Sequence, residues 1–482
     1  MGFYSLQIAR TGLVASQKAL DVIGHNVANA NTPGYTRQRL ELSAQKGTTA
    51  SGVTVGAGVN ISDVKQIRNQ YLDYQFRNEN GVNAELLSKS EAMTYIENIF
   101  GEPSDYGINQ SLSDFFVSME ELTYNAHDSS YRETVVQNAV KLTDSIRTVA
   151  GEMISYQKEI DRSIEITVDQ VNGILDQIKD LNVVIFDYEA RGSTANDLRD
   201  QRNQLIDELS AYIDIDAFEN MEGQLVINAA GTTMVHGEQI RKIDLEVDTT
   251  NLTDSGEPLQ RLIWAGTNSE VKPQAGALKG YLDVRDGLSQ EAQGIPYYMN
   301  RLNRLANDLI TGFNAINQNG YTIPYGNEPS QTGIVFFDSN TDSALNIRVS
   351  DALLESGYNI ALSDQPITGE LNWGNSQNGL NFTELRDKDT IMVGGNNLAG
   401  NFEKDFRKTI TDMAINKNYF DSRSNSQQEL TSFIESQKLA ISEVSIDEEM
   451  VSMVQFQHAY SASARLVTVV DEMLSTLINM VR

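Results

Sequence analysis

NVANANTPGYTRQR, residues 26–39, ends an amphipathic segment with three asparagines, a Pro-Gly pair and a tyrosine. Pro33 has no N–H and disfavours helix at Thr32. Asn29, Asn31 and Gly34 tolerate the left-handed backbone that closes a helix. Tyr35, Arg37 and Arg39 then alternate with Thr36, Gln38 and Leu40, an extended pattern. Together with Asn26, these residues (Asn29, Asn31, Thr32, Pro33, Gly34, Tyr35) form a polar helix stop close to the N-terminus.

Upstream, Leu6, Leu13, Leu20 and Val27 are seven apart, with Ala9, Ser16 and Ile23 between them. The last 40 residues repeat the spacing at Ile446, Met453, Tyr460, Val467, Leu474 and Val481. A 3.5-residue stripe marks a helix packed along another helix. Matched seams at both termini predict that these two helices pair.

Between them, the Gly-rich stretch with Val53, Val55, Val59 and Ile61 at alternate positions predicts a small hairpin. Helices are expected from about 64 to 100 and 108 to 122, then one of about 55 residues and roughly 80 Å ending near Gly192. A return helix spans about 196–213. Residues 214–274 lean to strand, 274–318 to helix, and 330–395 to strand again through GIVFF and LNIRVS. Helix resumes near Phe402, with a break expected at 421–426.

The fold class is therefore mainly α with inserted β regions, a nested, rod-like architecture. Residues 1–62 plus 426–482 are expected to form a coiled-coil-like terminal helical domain. Residues 63–329 plus 396–425 form a long helical-bundle domain with a β-leaning insertion at 214–274. Residues 330–395 form a small β-rich outer domain.

Composition narrows the function. The 482 residues carry 66 acidic and 37 basic side chains, a net charge of −29. Nucleic acid and anionic membrane are poor partners for such a chain. The absence of cysteine excludes disulfides and thiolate zinc sites. No apolar run approaches the ~20 residues needed to span a bilayer, so no membrane insertion is expected. MGFYSLQIARTGLVASQ lacks the basic n-region of a cleavable signal.

No chemistry-bearing constellation stands out. His25, His127, His236 and His458 are scattered. Asp338, Asn340 and Asp342 imitate a calcium loop, but Ser343 and Val349 occupy positions that need Gly and Glu. The GAG at 56–58 lacks the third glycine and the helix of a nucleotide loop. LRDQRNQLIDEL, 198–209, reads as a salt-bridged helix surface. The expectation is no enzyme, no catalytic, cofactor-binding or metal residues, and no cofactor.

SLQIARTGLVASQKALDVIGHNVANANTPGYTRQR, residues 5–39, resembles the N-terminal signature of the bacterial flagellar axial proteins, the rod, hook and hook-associated family. EEMVSMVQFQHAYSASARLVTVVDEMLSTLINM, 448–480, is similar to that family's C-terminal motif. Within the family, Pro33 with Tyr35-Thr36-Arg37-Gln38, and the segments RNQYLDYQFRNEN, LSDFFVSMEELTYNAHDSSYRETVVQNA and LRDQRNQLIDELS, resemble the hook-associated protein 1 branch. That resemblance implies an extracellular structural subunit at the hook–filament junction, exported by the flagellar type III route. Its implied partners are copies of itself, the hook protein, a second hook-associated junction protein and a cytoplasmic chaperone at the C-terminal helix. A hook or distal rod subunit is the alternative. One narrow seam barely offsets the entropy of ordering such helices, so both termini are expected to order on assembly.

Overall fold

The computed structural model describes all residues except 1, 51–52, 105–106, 193, 222, 290–291, 327, 369–371, 394 and 481–482. The chain opens with α1 (Gly2–Asn29). The strands β1 (Gln38–Ala44), β2 (Thr48–Ala50), β3 (Val53–Val55) and β4 (Val59–Gln66) follow. Then come α2 (Gln70–Phe100), α3 (Ile108–Tyr124), α4 (Ser129–Ala190) and α5 (Asn196–Tyr212). Strands β5 (Ile215–Glu219), β6 (Leu225–Ala229), β7 (Thr232–His236), β8 (Gln239–Ile240), β9 (Ile243–Leu252) and β10 (Pro258–Trp264) precede α6 (Ala277–Asp286) and α7 (Ile295–Asn319). The remainder is α8 (Asp351–Glu355), α9 (Gln377–Asp387), β11 (Thr390–Val393), β12 (Asn396–Ala399), α10 (Phe402–Ser442) and α11 (Ile446–Met480). The protein is mainly helical, with small sheets inserted between the helices.

Contacts divide the chain into two compact units, 1–83 with 169–243 and 427–482, and 84–168 with 244–426. The three-part division read from the sequence cuts the chain at other points.

In the first unit α1 packs against α11, and the hairpin β1–β4 packs on α1. β2 and β3 pair at its tip. Gly58 permits the approach of the hairpin to α1: its φ is +110°, and a Cβ there would lie 2.2 Å from Thr11 Oγ1. Strands β5-β6-β7-β8 form an antiparallel sheet. Two buried or half-buried α4 amides hold the chain beside it. The Asn172 side chain donates to the Ile243 carbonyl and accepts its N–H, at 2.8 and 3.0 Å. Asn182 donates to the Gly237 carbonyl at 2.7 Å.

The second unit is centred on phenylalanine. Phe115, Phe116, Phe313, Phe336, Phe337, Phe382 and Phe402 are buried, with ring centroids 4.9–6.5 Å apart in the contacting pairs. Aromatic pairs at this spacing add to area burial.

Four local expectations are corrected. Residues 64–66 are strand rather than helix; the Asn69 side chain accepts the Tyr71 N–H where α2 begins. The helix expected over 274–318 is two. Gly287 and Gly294 break it, because their backbones touch and a Cβ on either would sit 2.9 Å from the other's nitrogen. Residues 330–395 contain α8, α9 and β11, which pairs with β12 beyond them, rather than the strands GIVFF and LNIRVS. Buried Asn314 takes the place of a ladder there: its Oδ1 accepts the N–H groups of Phe336 and Phe337, and its Nδ2 donates to the Phe337 carbonyl. Finally, α10 runs unbroken through 421–426. The Ser426 hydroxyl bonds back to the Ser422 carbonyl, so the serines stay compatible with helix. The break falls at 443–445.

Candidate assembly seam and helix stop

α1 and α11 lie antiparallel. A Cβ on Gly12 would be 3.9 Å from Ser463 Cβ, and Asn26 bonds Glu449. The two contacts are fourteen residues apart on each helix, so they share one register. The buried line of α1 is Ala9, Ser16, Ala19, Ile23 and Asn26, mostly small side chains that allow close approach. Leu6, Leu13, Leu20 and Val27 flank it, half-buried. On α11, Met453, Val467 and Leu474 are half-buried, and Tyr460 is exposed. Val481 lies outside the described residues.

The helix stop is a hydrogen-bonded hub. Asn26, almost fully buried, donates to the Gln38 carbonyl (2.9 Å) and to Glu449 Oε2 (3.1 Å). Its Oδ1 accepts the Gln38 N–H (3.0 Å) and the Tyr35 hydroxyl (2.8 Å). Tyr35 also meets His25 Nδ1 at 3.0 Å. Asn29 donates to the His25 carbonyl, and its Oδ1 accepts the Thr32 hydroxyl. Gly34 turns the chain at φ +77°. Asn31, Thr32, Pro33 and Gly34 are exposed.

Beyond the stop, Arg37 reaches α11: its Nε bonds Glu449 Oε1 and its Nη1 bonds Glu448 Oε2, both at 2.7 Å. Its N–H donates to the Ser442 carbonyl at 2.8 Å. On α5, Asp200 accepts the Thr36 N–H (2.9 Å) and Gln66 Nε2 (2.7 Å), and Asp197 accepts Gln38 Nε2 (2.8 Å).

Burial disfavours charge on Asp200, Tyr35 and Arg37, and the partners of each decide the outcome. Burial pushes Asp200 up to about 6, against the bonds from Thr36. It also raises Tyr35, helped by Asp197, Asp200 and Glu449, so the phenol stays a donor. Arg37 is raised despite desolvation, because Glu448 and Glu449 hold its cation.

The segment 198–209 is not a solvated surface. Asp200 and Arg202 are buried. Asp207 is held below the usual carboxylate range: burial opposes this, but Arg77 from α2 and Lys438 from α10 prevail. Sequence reasoning also missed Glu449, a 2% exposed carboxylate. Its place four residues before Met453, on the seam stripe, was the available signal. Among the described residues no group of His, Asp or Glu is arranged to hold a metal. Among the same described residues no helix is long and apolar enough to cross a membrane.

The family model described as the flagellar hook-associated protein FlgK helical domain matches residues 93–337. The C-terminal model of flagellar basal body rod FlgEFG proteins matches 429–480, and the flagella basal body rod protein model matches 6–36. Flagellar hook-associated protein 1 of Bacillus subtilis is 29% identical, covering 99% of this chain and 98% of that protein. The Escherichia coli protein of the same name is 24% identical over 98% of each. The solved hook junction protein FlgK from Burkholderia pseudomallei shares the fold, with a TM-score of 0.60 and 14% identity over 77% of this chain and 100% of that one.

Proposed function

The chain belongs to the family of the flagellar hook-associated protein FlgK helical domain, and on that premise we propose that it is a structural subunit of the bacterial flagellum that assembles on the distal end of the hook and forms the junction on which the filament is built. The observation that carries this reading is the surface of α11. Val454, Leu466, Val469 and Met473 are 49%, 45%, 51% and 53% exposed, and Ile446, Met450, Val451 and Ile478 are exposed as well. Apolar surface that extends well beyond the side facing a partner helix is built to be buried, and on α11 it extends beyond the side that α1 covers. Further axial subunits are the natural cover. Copies of this chain, the hook protein and a second hook-associated protein are the partners we assign. Before assembly, an export chaperone shields the same face during type III export.

Deleting the gene tests the reading. Bare hooks, with unpolymerised flagellin in the medium, are expected by electron microscopy and immunoblot. The second reading is a hook or distal rod subunit. It draws on the matches of both termini to rod-protein models and predicts missing or shortened hooks instead.

A further inference from the structure

The α1–α11 seam has a register problem. Its flanking residues repeat every seven positions on both helices, and its buried line is largely Ala, Ser and Gly-sized. Sliding one helix by a heptad would replace apolar contacts with similar apolar contacts. Such slippage is the known weakness of a uniform heptad interface. Something in the seam must distinguish the native pairing from its neighbours.

A buried side-chain hydrogen bond joins the two helices, from Asn26 Nδ2 to Glu449 Oε2, with Arg37 on the second carboxylate oxygen. Each possible slide breaks it badly. One heptad in one direction brings Gly12 opposite Phe456, so Glu449 faces Ala19. One heptad in the other brings Gly12 opposite Val470, so Asn26 faces Phe456. Either leaves a buried amide or carboxylate without a partner, which costs more than any single apolar contact gains. Asn26 cannot turn away, because its amide also holds the Gln38 peptide by both N–H and carbonyl.

We propose that Asn26, Glu449 and Arg37 are the register key of the terminal helices: they set which residues of α11 face α1 while adding little to the strength of the pairing. Asn26 and Glu449 are specificity-determining, and Arg37 is a positioning residue that orients the carboxylate. The key also decides which apolar face of α11 is left outward. It thus deepens the function proposed above, because a slipped α11 would present the wrong face to the next subunit.

The cysteine-free chain makes the test direct. In the full-length protein, Gly12→Cys/Ser463→Cys reports the native register, since the Cβ separation of 3.9 Å suits a disulfide. Gly12→Cys with Phe456→Cys, or with Val470→Cys, reports the two slipped registers. Oxidation of monomer, with yields read by non-reducing gel and peptide mapping, should favour the native pair by about tenfold or more. In an Arg37→Leu/Glu449→Leu background the carboxylate and the guanidinium that orients it are gone, Asn26 keeps its bonds to Gln38 and Tyr35, and the helices still pair, with unchanged or higher helicity. The slipped disulfides should then close at yields comparable with the native one. Exclusive native closure in that background overturns the key, as does free closure of all three pairs in the parent. Loss of all three closures in the leucine variant also overturns it, because the cluster would then supply affinity rather than register. If registers respond as stated but deletion cells carry normal filaments, the key stands and the junction assignment falls.

Discussion

Single residues carry more of this fold than their number suggests. Gly34 turns the chain at φ +77°, a conformation costing an L-residue about 1–3 kcal/mol. Gly34→Val should misdirect the segment that carries Tyr35 and Arg37. The expected result is a secreted chain with a folded second unit that builds no junction, checked by circular dichroism and electron microscopy. Asp200 gives a pH dependence of defined sign. Its folded value of about 6 lies above the ~3.9 of a free aspartate. Its contribution to stability is therefore complete below about pH 4 and lost as pH rises through 6, on the order of 2–3 kcal/mol. Asp200→Asn removes that titration. Urea melts at pH 4.5 and 7.5 should show the variant gaining on the parent as pH rises; a constant difference would refute it. Arg132 is the buried counterpart in the second unit. It donates to the carbonyls of Ala126, Gly357 and Ile360 without a carboxylate partner among its bonds. Burial pushes its pKa down to about 10. Arg132→Leu strands these carbonyls and should cost about 3 kcal/mol or more in a denaturant titration.

Elements differ in how readily the sequence shows them. α1 and α11 were legible because heptad spacing and the asparagine stop leave little freedom. α4 was legible because its apolar pattern persists, over 62 residues. The hub was not. Asp200 and Arg202 look like any charged helix surface until Thr36, Gln66 and Glu219 arrive from distant segments to bond them. The 330–395 stretch misled for the same reason, since Asn314 does by side chain what a strand partner would do by backbone. Exposure also ranks the elements by stability. α11 is covered on one side, whereas the inner face of α7 is buried among the phenylalanines. Hydrogen exchange on the free chain should open α11 well before α7, and assembly should reverse the order. Equal protection of both helices in the monomer would contradict this.

At the scale of the whole molecule, charge is partitioned. Residues 1–62 carry five basic and two acidic side chains, and 446–482 carry two basic and five acidic. The terminal segments therefore balance, and the net −29 belongs to residues 63–445. In the assembly proposed above, neighbouring copies would repel through that region and attract through apolar helices. Salt screens repulsion and leaves burial intact. Self-association followed by sedimentation should therefore strengthen as ionic strength rises from about 0.05 to 0.5 M, where the Debye length falls several-fold. Weakening would mean that ion pairs hold the copies together.

The bond from the Arg37 N–H to the Ser442 carbonyl has a topological meaning. The chain leaves the seam and re-enters it at one point, so everything from 38 to 441 is, to the two terminal helices, a single closed excursion. An excursion whose mouth is pinned can lengthen or shrink without moving its mouth. The same geometry confines that freedom to the stretches that touch neither α1 nor the helix stop, because β1, β4, Asp197 and Asp200 lie inside the excursion and hold its mouth from within.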